Sequence, residues 1–157
     1  MQQPNNNPYS SAASAYGNNV QRTTGDQREL EAHVLLKSAR FLEDLQKDWE
    51  NVNGEVLEQT LKYNRQIWML FYDNAIEDLD EKRTNDLRSN IVNLANFVFK
   101  RSIDILAKPE KQKLDVLINI NREIAAGLNA RQKAEAEQAQ NVADIKNPPS
   151  GGTSTSA

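Results

Sequence analysis

The chain has 157 residues, 19 basic and 22 acidic, and a formal net charge of −3. That acidic balance runs against a general nucleic-acid binder, which carries a basic surplus. The absence of cysteine removes disulfides and thiolate metal sites. No apolar run approaches the roughly 18 residues of a spanning helix, and the N-terminus lacks the basic and apolar regions of a signal peptide, so a cytoplasmic protein without membrane insertion is expected.

Length points to one domain. Hydrophobic residues make up only 38% of the chain, but the ends account for much of the deficit. Residues 1–25 hold five Asn, three Gln and two Pro, with Arg22 as their only charge. Residues 147–157, NPPSGGTSTSA, have no large apolar side chain. Such segments bury too little surface to offset chain entropy. A mostly disordered leader, with Ser10–Val20 as a short frayed helix, and a disordered tail are therefore expected. What remains is enough for one modest core.

No strand pattern appears, and four helical stretches follow in order. Asp26 and Glu29 have capping-box spacing and open a helix over 27–52. Its face is Leu30, Val34, Phe41, Leu45, Trp49 and Val52, with Leu35 and Leu42 beside it. Gly54 breaks it. The second helix spans 55–79 with the stripe Leu57, Leu61, Trp68, Phe71, Ala75 and Leu79, and Asn64 lies inside that stripe. The polar stretch Asp80–Asn85 reads as a loop. The third helix covers 86–107. Pro109 stands near the first turn of the fourth, which runs to about Asn129. The following RQKAEAEQAQNVADIK has strong helix formers and almost no apolar stripe, so it extends the fourth helix as an exposed, fraying segment that Pro148 and Pro149 end. Short connections favour antiparallel neighbours. The expected fold is all-α, a single antiparallel four-helix bundle, organised as a leader over 1–25, a helical domain over 26–129 and an extension with tail over 130–157.

The third helix carries two apolar stripes. Leu87, Ile91, Leu94, Val98 and Ile105 form one; Val92, Ala95, Phe99, Ile103 and Leu106 form the other, about a third of a turn away. An arc this wide serves either a helix packed between two neighbours or one that leaves apolar surface for a partner. Phe97 falls among Asn90, Asn93, Lys100 and Asp104, as a contact point or a lone exposed aromatic.

Asn121 sits amid Leu114, Leu117, Ile118, Ile124, Ala125 and Leu128. A mid-helix asparagine costs roughly 0.6 kcal/mol against alanine, and burying its amide unpaired costs about 1–3 kcal/mol more. Asn64 and Asn121 pair across an interface if the second and fourth helices meet, which fixes register; otherwise each bonds a local carbonyl or water. Arg122 shares a polar face with Asp115 and Asn119, where it pairs with a carboxylate or, with Asn119, hydrogen-bonds a partner. Lys100, Arg101, Lys108, Lys111 and Lys113 form a basic run. It is a solvated face near a helix C-terminus or an RNA-contact patch whose affinity would fall with salt.

Catalysis finds little to stand on. His33 is the only histidine, lies off the apolar face, and has no Ser or Cys nucleophile pattern to serve. Glu77, Asp78, Asp80 and Glu81 lack the glycine and ligand spacing of a calcium loop, and there is no glycine-rich phosphate loop. A non-enzyme without metal or cofactor is expected.

Four segments in order carry a family resemblance: Arg28-Glu29-Leu30-Glu31-Ala32, Tyr63-Asn64-Arg65-Gln66-Ile67-Trp68, Asn96-Phe97-Val98-Phe99-Lys100-Arg101 and Leu114–Leu128. From about Tyr16 to Leu128 the chain resembles the FlaF family of flagellar biosynthesis regulators, small helical bacterial proteins acting on flagellin production and export. Gln27 stands where the family often has proline. The resemblance implies a partner, flagellin, whose terminal segments are disordered before assembly and fold as amphipathic helices. A bundle with spare apolar surface receives such a helix at i, i+3, i+4 and i+7 anchors. The groove expected for it follows Val92, Phe99, Ile103 and Leu106, with Tyr63, Ile67, Asn119 and Arg122 as its rim and Phe97, Lys100 and Arg101 as further contacts. Two other readings stand beside this export-chaperone one. One is a post-transcriptional regulator reaching flagellin messenger RNA directly or through a partner protein; the other is a scaffold within the export apparatus. Other flagellar regulators or export components are further expected partners.

Overall fold

A computed structural model of the chain describes residues 24–77 and 84–147. The leader, its short helix, Leu79, most of the Asp80–Asn85 loop and the tail lie outside those residues. The described residues form four α-helices and no strand: α1 Thr24–Lys47, α2 Gly54–Ile76, α3 Asn85–Ala107 and α4 Asp115–Lys146. Short 3-10 turns occupy Trp49–Asn51 and Lys111–Leu114.

Local chemistry sets the helix ends. α1 begins at Thr24, so Asp26 lies within its first turn, where a carboxylate meets the positive end of the helix dipole. It also stops short of the expected Val52. Asn51 Nδ2 donates to Asp48 Oδ1 at 2.5 Å, a local bond that competes with helix. The punctuation before α2 is Asn53 rather than Gly54: its Oδ1 accepts from the Val56 N–H at 2.8 Å, an N-cap that satisfies an otherwise orphaned donor. Thr84 caps α3 likewise, its hydroxyl accepting from the Leu87 N–H at 3.3 Å. Pro109 precedes the 3-10 turn, and α4 starts only at Asp115.

The chain divides into two compact units. In the unit formed by residues up to Leu30 and from Gly127 onward, Arg28 ion-pairs with Glu135. Arg131 reaches the same carboxylate at 3.6 Å, and Val142 and Ile145 are exposed.

The other unit, Glu31–Ala126, is the four-helix bundle. Its cross-contacts give the direction of each neighbour. Ser38 bonds Asn64 while Phe41 meets Tyr63, so α1 and α2 run antiparallel. Tyr72 meets Phe99 while Arg88 bonds the Ala75 carbonyl, so α2 and α3 do too. Gln46 bonds Asp115 while Glu43 pairs with Arg122, which closes the ring between α1 and α4. Helices α2 and α4 therefore face each other across the centre.

The core of this unit is Leu35, Leu42, Leu57, Leu61, Trp68, Val98, Ile105, Leu114 and Leu117, with small residues between them. Of the stripes expected on α2 and α4, Leu57, Leu61, Trp68, Phe71, Ala75, Leu114, Leu117, Ile118 and Ala125 are buried, Ile124 and Leu128 are half-buried, and Leu79 lies outside the described residues. The face of α1 is rotated from expectation. Its core side is Ala32, Leu35, Ser38, Ala39, Leu42 and Leu45, whereas Leu30 and Phe41 are exposed. Small and polar residues occupy the centre of that face, so the larger side chains flanking it misplace the pattern. On α3 the buried residues, Ala95, Val98, Ser102 and Ile105, run between the two expected stripes.

Candidate partner-binding surface and buried polar layer

A hydrogen-bonded layer crosses the middle of the bundle. Asn121 Nδ2 on α4 donates to Asn64 Oδ1 on α2 at 2.7 Å. The same Asn64 oxygen accepts from Ser38 Oγ on α1 at 2.8 Å. Trp68 Nε1, one turn along α2 from Asn64, donates to Asn121 Oδ1 at 2.8 Å. Ser38, Asn64 and Asn121 are all 0% exposed. At such burial these bonds are made or leave a desolvated group behind. One donor is left over: Asn64 Nδ2 is buried without a partner. Sequence reasoning reached the two asparagines but missed Ser38 and the indole of Trp68. The spacing Leu35, Ser38, Leu42, which is i, i+3, i+7, was the available signal.

Exposed apolar side chains line both helices where α2 and α3 run side by side, while others, such as Leu36, Val56 and Leu70, are exposed elsewhere. The Tyr72 and Phe99 rings meet at 6.2 Å between centroids, inclined by 60°. Met69, Tyr72 and Ile76 follow i, i+3, i+7 spacing and share a flank of α2. Val92, Phe99, Ile103 and Leu106 share the facing flank of α3 by the same rule. Met69 is 53%, Ile76 49% and Ile103 65% exposed, and Tyr72, Val92, Phe99 and Leu106 are half-buried. From Val92 to Leu106 the stripe covers about 21 Å at 1.5 Å per residue. The α3 stripe is the expected half of this seam; its α2 half is legible in the Met69, Tyr72, Ile76 spacing.

The expected rim does not assemble. Tyr63 lies on the opposite flank of α2, its ring 5.5 Å from that of Phe41 on α1. Ile67 is buried in the core at 6% exposure. Arg122 forms an ion pair with Glu43 of α1, and Asn119 is exposed; both belong to the side of α4 that borders α1. In a ring of four helices each neighbour takes a different flank, so residues facing α1 cannot border a groove between α2 and α3. An open cleft of about 470 Å³ at the α1–α4 seam is lined by Glu43, Gln46, Lys47, Lys111 and Arg122. Its charges are of both signs, and its Gln46 amide is engaged by the Lys111 carbonyl and Asp115.

Phe97 is 39% exposed and sits under the Arg101 guanidinium at 5.5 Å, a cation–π contact away from the α2 seam. The basic run is largely offset by carboxylates. Arg101 and Lys113 approach Asp104 at 3.8 and 3.0 Å, and Lys108 pairs with Glu110 at 3.2 Å; Lys100 is exposed. His33 is exposed as well. Among the described residues no three His, Cys, Asp or Glu side chains group as metal ligands, and no helix is long and apolar enough to cross a membrane.

No curated protein and no solved structure matches the chain. A family model described as flagellar protein FlaF matches residues 12–128, a span that contains the whole polar layer and the whole α2–α3 seam, and the chain therefore belongs to the FlaF family of flagellar proteins.

Proposed function

We propose that this flagellar protein binds flagellin, and that it supports or regulates flagellin synthesis and secretion as an export-chaperone-like factor in the cytoplasm rather than as an enzyme. The observation that carries the reading is the apolar seam between α2 and α3. A surface lined by Met69, Ile76 and Ile103, each about half exposed or more, with Tyr72 and Phe99 between them, suits one amphipathic helix of about four turns. Exposed apolar patches of this kind on a small protein mark interaction sites. The terminal segments of flagellin are the fitting occupant, since covering their apolar faces before assembly withholds them from polymerisation.

Polymerisation of purified flagellin, followed by light scattering, tests the activity. An equimolar amount of the protein suppresses filament growth, and Met69→Glu, on the open side of the seam, does not. Unchanged growth with the wild-type protein refutes the chaperone reading. The alternative, direct contact with flagellin messenger RNA, gains little from the basic run, because three of its five cations, Arg101, Lys108 and Lys113, already face carboxylates.

A further inference from the structure

The polar layer ties together three helices and leaves out the fourth. Ser38 belongs to α1, Asn64 and Trp68 to α2, and Asn121 to α4. The only buried polar side chain of α3 is Ser102, and its hydroxyl donates to the Val98 carbonyl of the same helix at 2.8 Å. Among the described residues, then, no buried side chain of α3 hydrogen-bonds another helix. Its apolar contribution is also small. α3 fully buries Ala95, Val98 and Ile105, against Leu57, Leu61, Ile67, Trp68, Phe71 and Ala75 on α2; α4 buries as few, Leu117, Ile118 and Ala125, but is tied in by Asn121.

The polar ties of α3 stand at its two ends. Arg88 Nε and Nη2 donate to the Ala75 and Ile76 carbonyls of α2 at 2.7 and 3.0 Å. At the other end Asp104 accepts the Lys113 ammonium at 3.0 Å, with its own side chain 52% exposed. These bonds lie where water replaces them on opening, unlike a buried amide or indole that would be stranded.

We propose that α3 is the opening helix of this bundle: it separates from the other three as a unit while the Ser38–Asn64–Asn121–Trp68 layer keeps α1, α2 and α4 in register. Parting α2 or α4 strands a desolvated donor or acceptor, and parting α1 breaks the Ser38–Asn64 bond and uncovers the fully buried Leu35 and Leu42. Parting α3 strands none, since Ser102 keeps its bond within the helix. The inference concerns the free protein and does not depend on the identity of any partner.

Native-state hydrogen exchange of the full chain, read by mass spectrometry in low denaturant, tests it. Peptides covering 91–105 exchange at least about tenfold faster than those covering 35–45, 57–68 and 114–125, through an opening short of global unfolding. Arg88→Gln removes the latch onto the α2 carbonyls and raises exchange in 91–105 alone. Equal protection of all four helices overturns the proposal. So does an Arg88→Gln protein whose four helices exchange faster by the same factor.

Discussion

Replacing Asn121 by leucine removes both bonds that join α4 to the polar layer. The Trp68 indole N–H loses its acceptor, and an orphaned buried donor costs about 1–3 kcal/mol. Loss of the bond to Asn64 adds about 1 kcal/mol. Leucine offsets about 0.5 kcal/mol as the better helix former and about 1 kcal/mol through apolar burial. The net destabilisation is about 0.5–2.5 kcal/mol. Asn64→Leu costs less, because it also removes Asn64 Nδ2, a donor buried without a partner, and because Ser38 can turn to a carbonyl of its own helix. The double variant loses the shared bond once and no longer strands the Asn121 amide, so it costs about as much as Asn121→Leu alone. Urea denaturation of the four proteins, at unchanged m-value, gives a coupling of about 1–2 kcal/mol. Additivity to within about 0.5 kcal/mol, or an Asn64→Leu protein less stable than Asn121→Leu, refutes the reasoning.

Three further outcomes follow from the same geometry. Asn53→Ala deletes the α2 N-cap and lowers stability by about 1 kcal/mol in the same assay. Ala95→Leu forces a large side chain into a position with 0% exposure and costs about 1–3 kcal/mol through overpacking; thermal unfolding registers it as a lowered Tm. Arg122→Ala breaks an ion pair whose arginine is 54% exposed and changes stability by less than about 1 kcal/mol, shrinking further in high salt.

The α2 and α4 stripes were legible because large apolar residues recur there with the helical period, and Asn64 and Asn121 stood out by interrupting it. The face of α1 was not, because its centre is built from Ala32, Ser38 and Ala39, which carry little weight in a hydrophobic pattern. α3 was legible as too apolar for a surface helix. Its two stripes do not say that the core runs between them, because that line passes through the small residues Ala95 and Ser102, which carry little weight in a hydrophobic pattern. The rim residues failed for a topological reason. A sequence does not say which flank of each helix faces which neighbour: the pairs Phe41–Tyr63 and Tyr72–Phe99 put Tyr63 and the seam on opposite flanks of α2, and the Arg122–Glu43 pair turns that side of α4 toward α1.

The α2–α3 seam as the flagellin-binding site is tested most directly by titration calorimetry of monomeric flagellin against the wild-type protein, Ile103→Asp and Arg122→Ala. Ile103 is preferable to Phe99 as the probe because it is 65% exposed, so a charge there spares the core. The account predicts a wild-type Kd of about 1 μM or tighter, near −8 kcal/mol. It predicts at least about tenfold weaker binding by Ile103→Asp and unchanged binding by Arg122→Ala. Binding that survives Ile103→Asp but is lost in Arg122→Ala would move the site to the α1–α4 seam, and no wild-type binding would contradict the function itself.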